Sequence, residues 1–248
     1  GLKDVKYIPI SAINGDNIVE KSPNFPWYSG VPLLQYLEEV ELESDVNLTD
    51  PRFSVQYVIR PQTEDLHDYR GYAGKVISGI YRKGDRVAIL PSGLETTLSR
   101  IEIGGQEVEE AFAQQSVVLH LEDDIDVSRG DMIVKSDNRP QQSQECKAVI
   151  CWMDSKPLKP GNKYLLQINS TRVKSVIREI HYRLDVNTLK QEPQPEKAAL
   201  NDIIEATIKT ATPIAFDDYD HLRQNGGAIL IDETSNVTVG ACMLQGLN

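Results

Sequence analysis

Several groupings of residues in this 248-residue chain could do chemistry, and each implies a different one. Glu122-Asp123-Asp124-Ile125-Asp126 is a dense carboxylate run, and regularly spaced carboxylates can hold calcium. The run lacks a calcium loop's ligand spacing, central glycine and closing glutamate, so a solvated loop is expected. His67, His120, His181 and His221 are scattered with no His-x-x-His pair to bring two ligands onto one helical face, so no metal site and no catalytic residue are assigned. Cys146, Cys151 and Cys242 form an odd set without a Cys-x-x-Cys spacing, which fits free thiols in a reducing, cytoplasmic setting. Arg129-Gly130-Asp131 could serve adhesion, but it leads directly into a β-type run and reads as a turn. Pro26-Trp27-Tyr28 could stack on a base, although a prolyl-aromatic pair before a helix reads better as a packing anchor. Ser11-Ala12-Ile13-Asn14-Gly15-Asp16-Asn17 follows Ile8-Pro9-Ile10, and its residues alone describe a polar turn after a strand.

Charge and missing motifs narrow the classes further. With 37 acidic against 26 basic side chains the net charge is -11, which repels phosphate backbones, so no nucleic-acid partner is expected. No stretch approaches the roughly 20 consecutive apolar residues of a membrane-spanning helix, and no membrane partner is expected. There is no Gly-x-x-x-x-Gly-Lys-Ser/Thr loop to cradle phosphates and no Asn-Lys-x-Asp to read guanine.

The elements that must position these groups are mostly strands. Residues 4 to 10 alternate towards a short strand, and Val31 to Glu39 sets Leu33, Leu34 and Leu37 on one helical face. Glu41 to Asp50 is acidic, ends at Asp50-Pro51 and reads as a linker. Short β-type runs then follow at Phe53 to Ile59, Gly74 to Tyr81, Arg86 to Leu90, Thr96 to Ile103, Ser116 to Leu121 and Met132 to Lys135. Glycine turns at Lys83-Gly84-Asp85 and Ile103-Gly104-Gly105 separate some of them. After a polar spacer, Asp137 to Glu145, a second set spans Ala148 to Met153, Tyr164 to Ile168, Arg172 to Arg183, Ile203 to Thr210, Ala228 to Asp232 and Thr238 to Met243. Gln191 to Lys197, with Pro193 and Pro195, reads as an exposed loop. Each set predicts a small closed antiparallel barrel.

The order of several stretches resembles one family. These are Phe53-Ser54-Val55-Gln56-Tyr57-Val58-Ile59-Arg60-Pro61, Arg70-Gly71-Tyr72-Ala73-Gly74, Leu90-Pro91-Ser92-Gly93, Glu109-Glu110-Ala111-Phe112-Ala113, and the run from Leu121 to Asp131. Further on come Tyr182-Arg183-Leu184-Asp185-Val186-Asn187-Thr188, Gly226 to Asp232 and Ser235 to Ala241. Together they are similar to the carboxyl-terminal part of the GTPase (large) subunit of bacterial sulfate adenylyltransferase, a relative of elongation factor Tu. The chain departs from that pattern at Ser78-Gly79-Ile80, where an arginine is displaced to Arg82. It departs again at Gln62 to Asp68, which resembles an insertion, and at Leu222, which stands where an asparagine is expected.

The resemblance implies a fold, a role and a partner. The fold is mainly β: two consecutive small antiparallel β-barrels, preceded by the last strand and helix of an α/β GTPase domain. The expected limits are 1–45 for the GTPase remnant and linker, 46–140 for the first barrel and 141–248 for the second. Ser11, Ala12 and Ile13 take the place of the family's last guanine-binding motif, acting only together with a nucleotide domain of which this chain would carry the end. The chain by itself is then expected to bind no cofactor and to be inactive, GTP and Mg being implied for the full-length protein. The implied partner is a smaller catalytic subunit that makes adenylylsulfate from ATP and sulfate, with GTP hydrolysis driving the step. The first barrel and the Pro26 to Gly30 loop would face the nucleotide domain, leaving part of the second barrel for that subunit. Two alternatives share the barrels: an elongation-factor-like protein that binds aminoacyl-tRNA, and a non-enzymatic two-barrel interaction module.

Overall fold

The computed structural model describes residues 5–40, 46–61 and 69–247. The chain divides into two compact units, Gly1–Val46 and Asn47–Asn248. Among the described residues of the first there is one helix, α1 (Leu33–Glu39), which starts after Pro32 and is closed at Val40, whose N–H bonds the Tyr36 carbonyl. Residues 5–10 form no backbone ladder, so the strand expected there is not made. A strand exists by its partners, and alternation alone supplies none. The linker expected over Glu41 to Asp50 lies partly outside the described residues, as does all of Gln62 to Asp68.

The second unit holds both barrels. Its first strands are β1 (Arg52–Ile59), β2 (Gly71–Ser78), β3 (Ile80–Arg82), β4 (Arg86–Leu90), β5 (Leu94–Ile103), β6 (Gln106–Val108), β7 (Glu110–Phe112), β8 (Ser116–Leu121) and β9 (Met132–Lys135). They order as β4-β9-β1-β2-β8-β5, and β4 also pairs with β5, so six antiparallel strands close on themselves. Closure removes the open edges that would otherwise present unpaired backbone groups. Phe53, Val55, Val76, Val87, Leu98, Ile101, Leu119 and Ile133 fill this barrel. Tyr81 joins them because its hydroxyl donates to the Ile133 carbonyl at 2.6 Å.

The second barrel comprises β10 (Gln141–Trp152), β11 (Lys163–Ile168), β12 (Thr171–Leu184), β13 (Gln191–Pro193), β14 (Ile203–Phe216), β15 (Gly227–Ile231) and β16 (Thr238–Gln245), with a single helical turn, α2 (Arg223–Gly226), before β15. Its order is β11-β15-β16-β10-β14-β12, closed by β11 against β12. Along β10 the residues Cys146, Ala148, Ile150 and Trp152 alternate inward, as a period of two requires.

Two expectations are corrected here. The polar spacer is largely strand, since β10 begins at Gln141 and pairs with Phe216. The proline loop begins as an edge strand: Gln191–Pro193 pairs with Leu184–Tyr182, where a missing N–H can face solvent.

Gly79 shows how tightly the first barrel is tied at its entrance. Its φ is +75°, and an added Cβ would stand 2.3 Å from the Pro51 Cα. No other residue fits there.

Candidate functional site

The expected guanine-side residues fall in one turn of the first unit. Ser11 and Asp16 exchange both backbone hydrogen bonds at 3.2 Å, closing the loop that carries Ala12 and Ile13. Asn17 braces it from beneath: its Nδ2 donates to the Pro9 carbonyl at 2.9 Å, and its Oδ1 accepts the Ser22 N–H at 2.8 Å. Asn17 is buried at φ +53°, a conformation asparagine tolerates. Asp16 receives the Ser22 hydroxyl at 2.5 Å and Asn24 Nδ2 at 2.9 Å. Those hydrogen bonds, chiefly from Ser22, hold the Asp16 carboxyl below its usual range.

The turn therefore presents a fixed, outward edge. Ile13 is 98% exposed, and among the described residues the Ala12 and Ile13 amides make no internal hydrogen bond. Two free amides beside the Ser11 hydroxyl suit a base carbonyl. Nothing among the described residues of this turn suits a phosphate chain. The aromatic anchor expected beside it differs: Trp27 is 71% exposed, touching Phe25 and Tyr28 edge-on with ring centroids 6.0 and 6.3 Å away.

Other candidates resolve into structure. Among the described residues no group of His, Cys, Asp and Glu could hold a metal ion. His120 lies under Tyr69, ring centroids 5.0 Å apart, with Nδ1 2.8 Å from the Arg70 carbonyl. Its Nε2 faces Glu102 at 3.2 Å and Arg100 at 3.3 Å. Burial, then Arg100, pushes its pKa down. His181 bonds Thr207 at 2.8 Å and His221 faces Asp50 at 3.1 Å, while His67 lies outside the described residues. In the acidic run Asp123 accepts the Thr96 hydroxyl at 2.8 Å and Asp124 pairs with Arg70. The Arg129-Gly130-Asp131 turn is clasped by the second barrel, the Thr171 hydroxyl donating to the Gly130 carbonyl at 2.6 Å.

A cluster at the joint between the barrels escaped the sequence reading. Arg52 opens β1 and is 2% exposed, yet it is charged. Its Nε and an NH2 group bind both carboxylate oxygens of Asp217 at 2.8 and 2.9 Å, the bidentate geometry a guanidinium favours. Its other terminal nitrogen donates to the Asn138 carbonyl and side-chain oxygen at 2.9 and 3.0 Å. Asn225 Nδ2 donates to Asp217 at 2.8 Å, and Asn169 Nδ2 to Asn225 at 2.7 Å. Every arm of the buried pair is thus satisfied. The available signal was a lone arginine heading an otherwise apolar run, 165 residues from its partner.

Comparison with known proteins places the chain. It is 44% identical over 244 residues to the bifunctional enzyme CysN/CysC of Mycobacterium tuberculosis and 42% identical over 243 residues to sulfate adenylyltransferase subunit 1 of Alteromonas mediterranea, in each case covering 98% of this chain. Along nearly its whole length the chain is similar to members of the sulfate adenylyltransferase subunit 1 family. It spans 40% of the first relative's length and 50% of the second's. Residues 145–245, nearly all of the second barrel, match the family described as GTP-eEF1A C-terminal domain-like. Among solved structures, Sup35 complexed with GDP superposes with a TM-score of 0.73 at 22% identity, covering 99% of this chain and 60% of that one. The apo elongation factor SelB of Methanococcus maripaludis gives 0.64 at 16%, covering 87% and 45%. Those two likenesses concern the fold: paired barrels of the elongation-factor type.

Proposed function

We propose that the whole protein containing this sulfate adenylyltransferase subunit 1 relative is the GTP-hydrolysing subunit of that enzyme, in which this chain relays the nucleotide state to a smaller catalytic subunit. Identity of 39–42% along 98–100% of the chain to relatives named sulfate adenylyltransferase subunit 1 carries the reading. GTP, with its Mg, would supply the free energy that drives adenylylsulfate formation from ATP and sulfate. Ser11, Ala12 and Ile13 would hold the guanine edge, and the rest of the nucleotide would need residues of other types.

The barrels' part is mechanical. A bound nucleotide shifts an equilibrium only through different contacts in two states, so the barrels must carry a displacement without absorbing it. The Arg52–Asp217 joint, buried and bidentate, suits that demand because half-broken states of such a pair are costly.

The test is GTP-dependent pyrophosphate release from ATP and sulfate by the whole protein with its catalytic partner. Stimulation by GTP, abolished by a non-hydrolysable analogue, is expected. Sulfate-independent behaviour combined with saturable binding of aminoacyl-tRNA would replace this reading with the elongation-factor one.

A further inference from the structure

The strand register divides the second barrel into two rims. One rim carries Gln141, Asp217 and Thr171 and meets the first barrel through Arg52 and Gly130. The opposite rim is where β10 ends, β12 ends, β14 begins and β16 begins. Cys151 pairs with both Ile203 and Ala241 there, and Ile203 also pairs with Leu184.

Large apolar side chains crowd this outer rim. Met153, Val186, Leu189, Leu200 and Val237 are 46%, 58%, 74%, 49% and 57% exposed. They flank the ends of the neighbouring strands β16, β10, β14 and β12, which places them along one rim. The Met153 N–H bonds Val239, and the Asn201 N–H bonds Trp152, which fixes their neighbours in adjacent positions. With strands about 4.8 Å apart the strip is about 15 Å wide, the size of an interface centre but not of a whole interface.

A second observation is independent of exposure. Leu189 has φ +56°, a region that bulky residues avoid. The hairpin tip holds it there: Asp185 Oδ1 accepts the Asn187 N–H at 2.9 Å, Oδ2 accepts the Thr188 hydroxyl at 2.8 Å, and the Leu189 N–H bonds the Asp185 carbonyl at 2.7 Å. The hairpin needs a left-handed residue here, but glycine or asparagine would supply it at less cost than leucine, and strain of this kind collects where something binds. The tip is also preorganised, so docking on it would lose little conformational freedom.

We propose that this outer rim, centred on Val186 and Leu189, is the docking surface for a second, unlike protein subunit that presents an apolar patch. The choice of occupant rests on the reading under Proposed function, since relatives bearing the name subunit 1 presuppose another subunit. A position far from the joint fits as well, because it leaves the lock between the barrels undisturbed while exposing the rim to a partner.

The experiment introduces Leu189→Asn and Met153→Gln separately into the whole protein and measures affinity for the sulfate adenylyltransferase catalytic subunit by calorimetry, alongside thermal melts. Asparagine tolerates positive φ better than leucine, so Leu189→Asn should leave the melting temperature unchanged or higher. Each variant should nevertheless weaken binding by about tenfold or more, as loss of an interface-centre contact does. Leu94→Asn and Phe112→Gln, also exposed but on the first barrel, should bind as the parent does. Parent-like binding by both rim variants would overturn the surface while leaving the functional reading intact. Failure of the unaltered protein to bind the subunit would instead overturn that reading and the occupant with it. Rim variants that abolish self-association, with the subunit still bound, would overturn the proposal in favour of a second copy.

Discussion

At the scale of single residues, backbone geometry and burial make sharper demands than side-chain chemistry does. Gly79 and Gly84 both have positive φ, at +75° and +87°, but only Gly79 has backbone in the way of a Cβ. Gly84→Ala should cost about 1 kcal/mol, the usual penalty of the left-handed region. Gly79→Ala should cost distinctly more, because Pro51 must move too; equal losses in urea denaturation would refute the clash. The three thiols divide similarly. Cys146 and Cys242 are buried and Cys151 is half-buried. Ellman's reagent at mild alkaline pH should label one thiol rapidly in the native chain and three in denaturant, and a second rapid site would contradict the packing. Burial pushes the Cys146 thiol up to about 12 from 9.0, and the Cys242 thiol upward as well. A raised thiol pKa means the folded chain keeps protons that the unfolded chain releases. Its contribution to stability is therefore whole below about pH 9 and falls away as pH climbs towards 12. Cys146→Ser should lessen that alkaline fall in a pH series of denaturation midpoints.

At the scale of elements, the sequence reads best where a short apolar run is bounded by turn signals. Arg86 to Leu90, Ser116 to Leu121 and Met132 to Lys135 coincide with β4, β8 and β9, and β4 and β9 are such runs because they are buried on both faces. Gln106–Val108 and Glu110–Phe112 went unread, since three residues are too few to show a period and pairing alone makes them strands. The spacer before Ala148 was misjudged for a related reason. Gln141 to Glu145 is polar because it lies on the barrel's rim, yet β14 pairs with it regardless. The candidate guanine edge was legible only through family likeness; composition describes it as an ordinary polar turn. The turn's brace, Asn17, gives a means of testing the geometry. Asn17→Ala removes both the bond to Pro9 and the one from Ser22, so the amide exchange of Ser11 and Asp16, whose N–H groups close the turn, should quicken by about tenfold, equivalent to roughly 1.4 kcal/mol. Unchanged exchange would mean that the turn holds its shape by other contacts.

At the scale of the whole molecule, the question is whether the two barrels behave as one body. Each has a filled core of its own, so nothing in their interiors requires them to unfold together. Coupling must come from the joint, where the small apolar cluster of Ala88, Leu90, Met132 and Val134 packs with Ala215. Beside it lies the Arg52–Asp217 pair, with side chains 2% and 8% exposed. Such a pair adds little net stability relative to well-fitted apolar residues, because desolvation offsets attraction. Losing one partner is different, since the survivor stays buried and unpaired at a cost of about 3–5 kcal/mol. Arg52→Met should therefore be more damaging than Arg52→Met combined with Asp217→Leu, the reverse of additive loss. Because the cost falls on the joint and not on either core, Arg52→Met should also split a single thermal transition into two, one per barrel. Calorimetry of the three proteins decides the matter. Should the single variant melt in one undivided step at the parent's temperature, the joint does not couple the barrels, and a relay of nucleotide state through them would have to run by another route.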